Sequence, residues 1–205
     1  MHSRTLAKQV CTIITLVGIA FAVCAFTYPD TLGQIRIRLS RWSESGTRTT
    51  ELALQPGLPT LLILPRLNIR ASVESIGLTK DGALDTPKEP DIVAWFNAGP
   101  RPGEKGNAII DGHYGWKDGI PAVFDSLSQT QIGDSISIQD DHGNVITFVV
   151  HKIQIYTKED TTSDIFNAQD KDAHLVLITC QGAWNKASQS YAGRLIVFAD
   201  KVETL

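Results

Sequence analysis

Val145 to Tyr156, VITFVVHKIQIY, is the stretch that most restricts what this chain can become. β-branched and aromatic side chains dominate it, and Lys152, Gln154 and Tyr156 fall on one face, so it reads as a strand. Asp140, Asp141, His142, Gly143 and Asn144 precede it as a turn cluster, and Ser135 to Ile138 alternates before that. The pair predicts a hairpin. Further short strands are expected at Leu61 to Leu64, Ser72 to Ile76, Ala108 to Ile110, Leu175 to Thr179 and Leu195 to Phe198, joined by Pro/Gly-rich connections rather than long helical patterns. Seven or eight short strands in roughly 150 residues with a few helical turns predict an all-β fold closed into a barrel, because closure removes exposed edges. A sandwich is the second choice.

The N-terminus follows different rules. Val10 to Tyr28 runs 19 residues without a charge, close to the roughly 20 needed for a transmembrane helix. Arg4 and Lys8 precede it and favour a cytoplasmic N-terminus, against the vote of Arg36, Arg38 and Arg41 beyond it. A cleaved secretory signal is the rival reading, with Ala20 and Ala22 as a small-x-small pair. Either one exports the remainder. The expected organisation is a cytoplasmic tail at 1–9, a transmembrane anchor at 10–28, a juxtamembrane linker at 29–56 and a catalytic domain at 57–205, the boundary marked by Pro56, Gly57 and Pro59. The chain would then be a single-pass protein of the cell membrane with its domain outside, contacting the lipid bilayer through the N-terminal helix.

Charge divides along the same line. Residues 1–56 carry 6 basic and 3 acidic side chains, while 57–205 carry 13 basic and 19 acidic, and the whole chain has net charge -3. Such a balance gives no footprint for a nucleic-acid backbone, so no nucleic-acid partner is expected. The three cysteines, Cys11, Cys24 and Cys180, supply neither a disulfide framework nor metal-ligand spacing. The acidic residues show no EF-hand pattern, and neither a metal nor an organic cofactor is assigned.

Outside the anchor only Cys180 remains, at the end of the apolar run His174-Leu-Val-Leu-Ile-Thr179 and before Gln181-Gly182. That is where a strand exit would hold a thiol rigidly beside a cleft. A cysteine acting as a small buried hydrophobe is the alternative. His113 follows another short apolar strand in Ile109-Ile-Asp-Gly-His113-Tyr-Gly115, and a thiol nucleophile needs such a proton acceptor within reach. His174 is the decoy to watch, since it begins the strand leading to Cys180. Arg194 opens the last strand, Arg194-Leu-Ile-Val-Phe-Ala199, and offers directed donors for a developing oxyanion. An ordinary strand-end surface arginine is the other reading.

Together these segments resemble the sortase family of cysteine transpeptidases. Leu177-Ile-Thr-Cys180 is similar to its TLxTC signature, with Val176 where threonine is commonest, and Arg194 falls 14 residues onward in a matching R-L-x-V-F context. Gly99-Pro-Arg-Pro-Gly103, Gly106-Asn107-Ala108, Gly112-His113 and Pro121-Ala122-Val123-Phe124 extend the likeness, most closely to class F, over about Leu61 to Lys201. The resemblance implies a closed eight-stranded β-barrel with Cys180 as nucleophile, His113 as acid/base group and Arg194 as oxyanion or substrate-positioning group. Thr179 ranks below these three. It further implies cleavage of an LPxTG-like surface-protein sorting signal after Thr, and transfer of the acyl group to an amine acceptor in the cell wall or a pilus subunit. Trp116, Lys117, Asp118, Trp184, Asn185 and Lys186 are candidates for the acceptor groove. Two other readings stay open: a tethered β-domain that binds an envelope peptide or glycan without turnover, and a peptidase that releases the acyl group to water.

Overall fold

In the computed structural model, residues 55–203 are described apart from 158, 169 and 188. The expected anchor at 10–28 and most of the linker lie outside the described residues. Among those that are described, no helix is long and apolar enough to cross a membrane.

Eight strands form a closed barrel: β1 (Pro59–Leu64), β2 (Ile69–Ile76), β3 (Val93–Phe96), β4 (Gly106–Gly112), β5 (Ser135–Asp140), β6 (Val145–Tyr156), β7 (Ala173–Asn185) and β8 (Ser190–Lys201). They hydrogen-bond in the order β1-β2-β3-β4-β7-β8-β6-β5, and β5 closes on β1. β2 with β3 and β4 with β7 are the parallel pairs, and the other contacts are antiparallel. One helical turn, α1 (Ser163–Phe166), lies between β6 and β7.

Alternation sorts the side chains of the central strands into two populations. Leu175 and Leu177 of β7, Ala108 and Ile110 of β4, and Leu195 and Val197 of β8 point into the barrel, where they meet Leu62, Phe124, Ile138 and Phe148. Their neighbours Val176 and Ile178, Ile109, and Ile196 and Phe198 form a second cluster on the outer face, covered by Ile165 of α1. An outward apolar face of that size needs a roof. Polar groups fasten α1 over it: Asn107 Nδ2 donates to the carbonyls of Asp164 at 2.8 Å and Ile165 at 3.0 Å, and Tyr156 Oη donates to Asp164 Oδ2 at 2.5 Å. Lys152 Nζ adds an ion pair to the same carboxylate at 3.2 Å.

The β5–β6 hairpin is as the sequence predicts, but β6 does not keep one phase. Its pairing with β8 shifts between Val150 and Lys152, so Phe148 and Val150 point inward before the shift and Ile153 packs against the inner core after it. A bulge of this kind adds one residue to one strand and flips the pattern beyond it. Here it turns Lys152 and Tyr156 outward, toward α1. Asp140 organises the hairpin's turn, accepting from the backbone N–H groups of Gly57, His142 and Asn144 and from Asn144 Nδ2.

Two expectations need correction. β3 was not anticipated, because Val93–Phe96 is only four residues long and its membership rests on pairing with β2 and β4. β7 and β8 also run well past their apolar centres, to Asn185 and back to Ser190, because the ladder continues through Trp184–Tyr191 and Asn185–Ser190. Cys180 and Arg194 therefore sit within strands rather than at an exit and a start.

Candidate active site

The outer phase of the central strands decides what reaches solvent above α1. Stepping along β7 from Val176 through Ile178, that phase arrives at Cys180, a free and half-buried thiol. Arg194 is directly opposite it on β8. On the other side, the parallel ladder with β4 pairs Asp111 with Ile178. Continuing that register by two residues brings His113 alongside Cys180. β7 and β8 thus present a thiol and a guanidinium side by side, the residue just past β4 adds an imidazole, and all three line a single cleft of about 270 Å³. Ala83, Leu84, Asp111, Ile165, Phe166 and Ile178 line it as well.

The end of β4 is held tightly. Thr179, 1% exposed, donates its hydroxyl to the carbonyl of Gly112 at 2.7 Å. Gly112 has no room for a side chain, since a Cβ there would collide with the Phe124 ring; filling such a space typically costs about 1–3 kcal/mol. Directly after it, His113 Nε2 lies 2.7 Å from the carbonyl of Pro87. A carbonyl only accepts, so Nε2 carries the proton and Nδ1 is the ring nitrogen left to exchange one. Trp116 packs edge-on against the imidazole with ring centroids 4.6 Å apart, which further limits its rotation.

Burial pushes the Cys180 thiol above its ordinary pKa; the Arg194 charge pulls it back in part, and Asp111 adds to the rise. The resting sulfur is therefore a protonated thiol near neutral pH, and nucleophilic attack requires the proton to leave. Arg194 Nη1 donates to the carbonyl of Gly193 at 3.0 Å. Gly193 lies against the backbone of β6, where a Cβ would fall 2.8 Å from the Tyr156 carbonyl.

The other described histidines are elsewhere. His174 is clasped between Asp200 at 2.7 Å and Asp170 at 2.8 Å, and His151 also approaches Asp200, at 3.1 Å. None of these lines the cleft. Among the described residues, Asp140, Asp141 and His142 bring ligand-type atoms together, but they belong to the β5–β6 turn and Asp140 already accepts four hydrogen bonds.

Of the groove candidates, Trp116 covers His113, and Lys117 Nζ stands 5.8 Å over the Trp116 ring. Trp184 is 51% exposed and meets Tyr191 at 5.0 Å; Tyr191 also meets Tyr114 at 5.5 Å. Sequence reasoning passed over both tyrosines. It also passed over Asp111, which sits 9% exposed in the cleft. The available signal was its phase: Ile109 and Asp111 share the outward face of β4, so a charge stands where the pattern calls for an apolar residue.

A thiol, an imidazole and a guanidinium gathered in one cleft on the outer face of a closed barrel are a set of groups suited to cysteine-dependent acyl transfer. The family model of the sortase domain matches residues 62–202, and the chain belongs to the sortase family, whose members are cysteine transpeptidases. Among solved structures, it is similar to sortase C-1 from Actinomyces oris, with 18% identity, a TM-score of 0.56, and coverage of 70% of this chain and 73% of that one. It is also similar to a lid mutant of sortase A from Corynebacterium diphtheriae, at 22% identity and TM-score 0.56, covering 74% and 73%. Sortase C1 from Streptococcus agalactiae gives 19%, 0.55, and coverage of 71% and 68%. No curated protein matches the chain.

Proposed function

We propose that this sortase cleaves an LPxTG-like sorting signal after its Thr and passes the acyl group from Cys180 to an amine acceptor at the cell envelope. The observation that carries this reading is the convergence of His113, just past the end of β4, with Cys180 of β7 and Arg194 of β8 in the lining of one cleft. The Cys180 thiol gives its proton to His113 Nδ1, and the thiolate attacks the Thr carbonyl carbon. Negative charge then grows on the carbonyl oxygen, where the Arg194 guanidinium stabilises it. The tetrahedral centre collapses as the Thr–Gly bond breaks, the Gly nitrogen taking the proton from His113. A thioester remains on Cys180. The incoming amine attacks it, returns a proton to His113, and the thiolate leaves.

The Nε2–H bond to Pro87 supports the imidazolium formed on the way, because both of its protons can then be directed. The Gly99 to Gly103 and Pro121 to Phe124 segments favour class F within the family. The acceptor is an amine of the cell wall or of a pilus subunit, approaching past the aromatic side chains that follow Cys180 along β7 and β8. The uncharged run at 10–28 anchors the enzyme in the cell membrane with its domain outside. Confinement to one surface raises the effective concentration of enzyme and exported substrate.

Mass spectrometry of the full-length chain with an LPATG peptide, with and without a glycine amine, tests the reading. The expected result is cleavage after Thr, an acyl adduct on Cys180 and an amine-ligated product, all lost in Cys180→Ala. A folded enzyme that forms no adduct across a panel of signal variants would overturn it.

A further inference from the structure

Asp111 is a buried ionisable group in the cleft lining for which the transpeptidation steps have no use. It projects from β4 beside Ile178, one same-face step short of Cys180 on the neighbouring strand. Successive same-face residues are separated by about 6.5–7 Å, the spacing that an extended peptide bound along the strand would show between its own alternate side chains. A substrate whose Thr carbonyl is at Cys180 and whose preceding residues extend toward Ile178 would lay the side chain two residues before Thr near Asp111.

The surroundings of Asp111 are unusual for a carboxyl. Ile178, Ile196 and Ile165 make the adjoining lining apolar. Its backbone partner is the N–H of Gly112, and Arg194, which bonds Gly193 instead, acts on it only as a nearby charge. The other ionisable groups lining this cleft are His113, Cys180, Tyr156 and Asp85, and Tyr156 is already committed to Asp164. Among the described residues no side chain bonds the Asp111 carboxyl. Burial pushes its pKa up to about 7, against the pull of Arg194 and of the Gly112 N–H. Near neutral pH it is therefore substantially protonated, and both donates and accepts.

Pockets are mostly apolar, with a few placed polar groups that choose the ligand. A carboxylic acid and a carboxamide are reciprocal partners: the acid O–H donates to the amide oxygen while the amide N–H donates to the acid oxygen. A cationic side chain would meet Arg194, and an aliphatic one would leave the buried carboxyl unpaired, which is the costly outcome. We propose that Asp111 is a specificity residue that selects sorting signals carrying a carboxamide side chain, Asn or Gln, upstream of the scissile Thr. This rests on the transpeptidase reading above.

The test compares the peptides LPATG and LQATG by kcat/KM for acyl-adduct formation and ligation, using the full-length enzyme, Asp111→Leu and Asp111→Asn. The unmodified enzyme at pH 6.5 should favour LQATG over LPATG on the order of tenfold. Asp111→Leu should reverse the order. Asp111→Asn, itself a carboxamide, should keep the preference and hold it at pH 8.5, where the unmodified enzyme loses part of it as its acid ionises. Equal rates for the two peptides, or a preference that survives Asp111→Leu, would overturn the selection while leaving transpeptidation in place. Failure of every peptide to acylate Cys180 would overturn both.

Discussion

Two histidines on the same three-stranded face have opposite surroundings. His174 has a carboxylate on each ring nitrogen, Asp200 at 2.7 Å and Asp170 at 2.8 Å, whereas His113 has a neutral carbonyl on one and the cleft beside the other. Burial opposes the His174 charge, but its two carboxylates outweigh it and raise the pKa. A ring so engaged holds its proton and secures structure, tying β7 to β8 and to the segment before it. A ring with one nitrogen uncommitted can hand a proton on. The number of histidine partners, more than position in the chain, separates the two surroundings.

The largest test of that contrast is His113→Ala against His174→Ala. Loss of His113 should lower kcat/KM by about 10²–10⁴ with the fold retained, while loss of His174 should leave the rate within a few-fold. Equal losses in ligation assays would erase the distinction. Next, Arg194→Ala should reduce kcat by roughly 10²–10³, and Arg194→Lys should recover only part of it, since the ammonium lacks the planar fork.

A smaller effect is expected at the thiol. Asp111→Asn removes a negative charge that helps to raise the Cys180 pKa, so the pH profile of Cys180 alkylation should move to lower pH. A shift upward would contradict the electrostatic ordering. Smallest is the stability owed to the His174 clasp. Its folded pKa lies above the ordinary value of 6.5, so the clasp contributes fully below that pH and fades as pH rises through the folded value. His174→Ala should therefore show its greatest fall in Tm near pH 5.5 and little difference at pH 9. A deficit that grows with pH would reverse the assignment.

What the sequence disclosed follows from which interactions are local. β6 could be read to its ends, Val145 and Tyr156, because its composition is strand-like throughout. β3 could not, because four residues gain their place from neighbours distant in sequence. The bulge near His151 escaped notice for the same reason: it is a property of pairing with β8. At the site, His113, Cys180 and Arg194 stood out by motif. Their roof did not, since α1 is one turn long and is fixed by Asn107, Lys152 and Tyr156 from other strands. Asp111 lies one residue past the strand expected at Ala108 to Ile110, and in the structure it is the last outward-facing side chain of β4.

The hydrogen bond from Thr179 to Gly112 spans 67 positions of chain, and it does more than tidy a strand end. Side chains alternate in and out, so a slip of β7 by one residue would carry Cys180 into the barrel and bring Thr179 out to its place. In an open sheet such a slip costs one strand's pairing. In a closed ring it must be matched all the way around. The barrel thus works as a combination lock whose settings were fixed when β5 met β1, and the thiol keeps its address because no single strand can be turned alone.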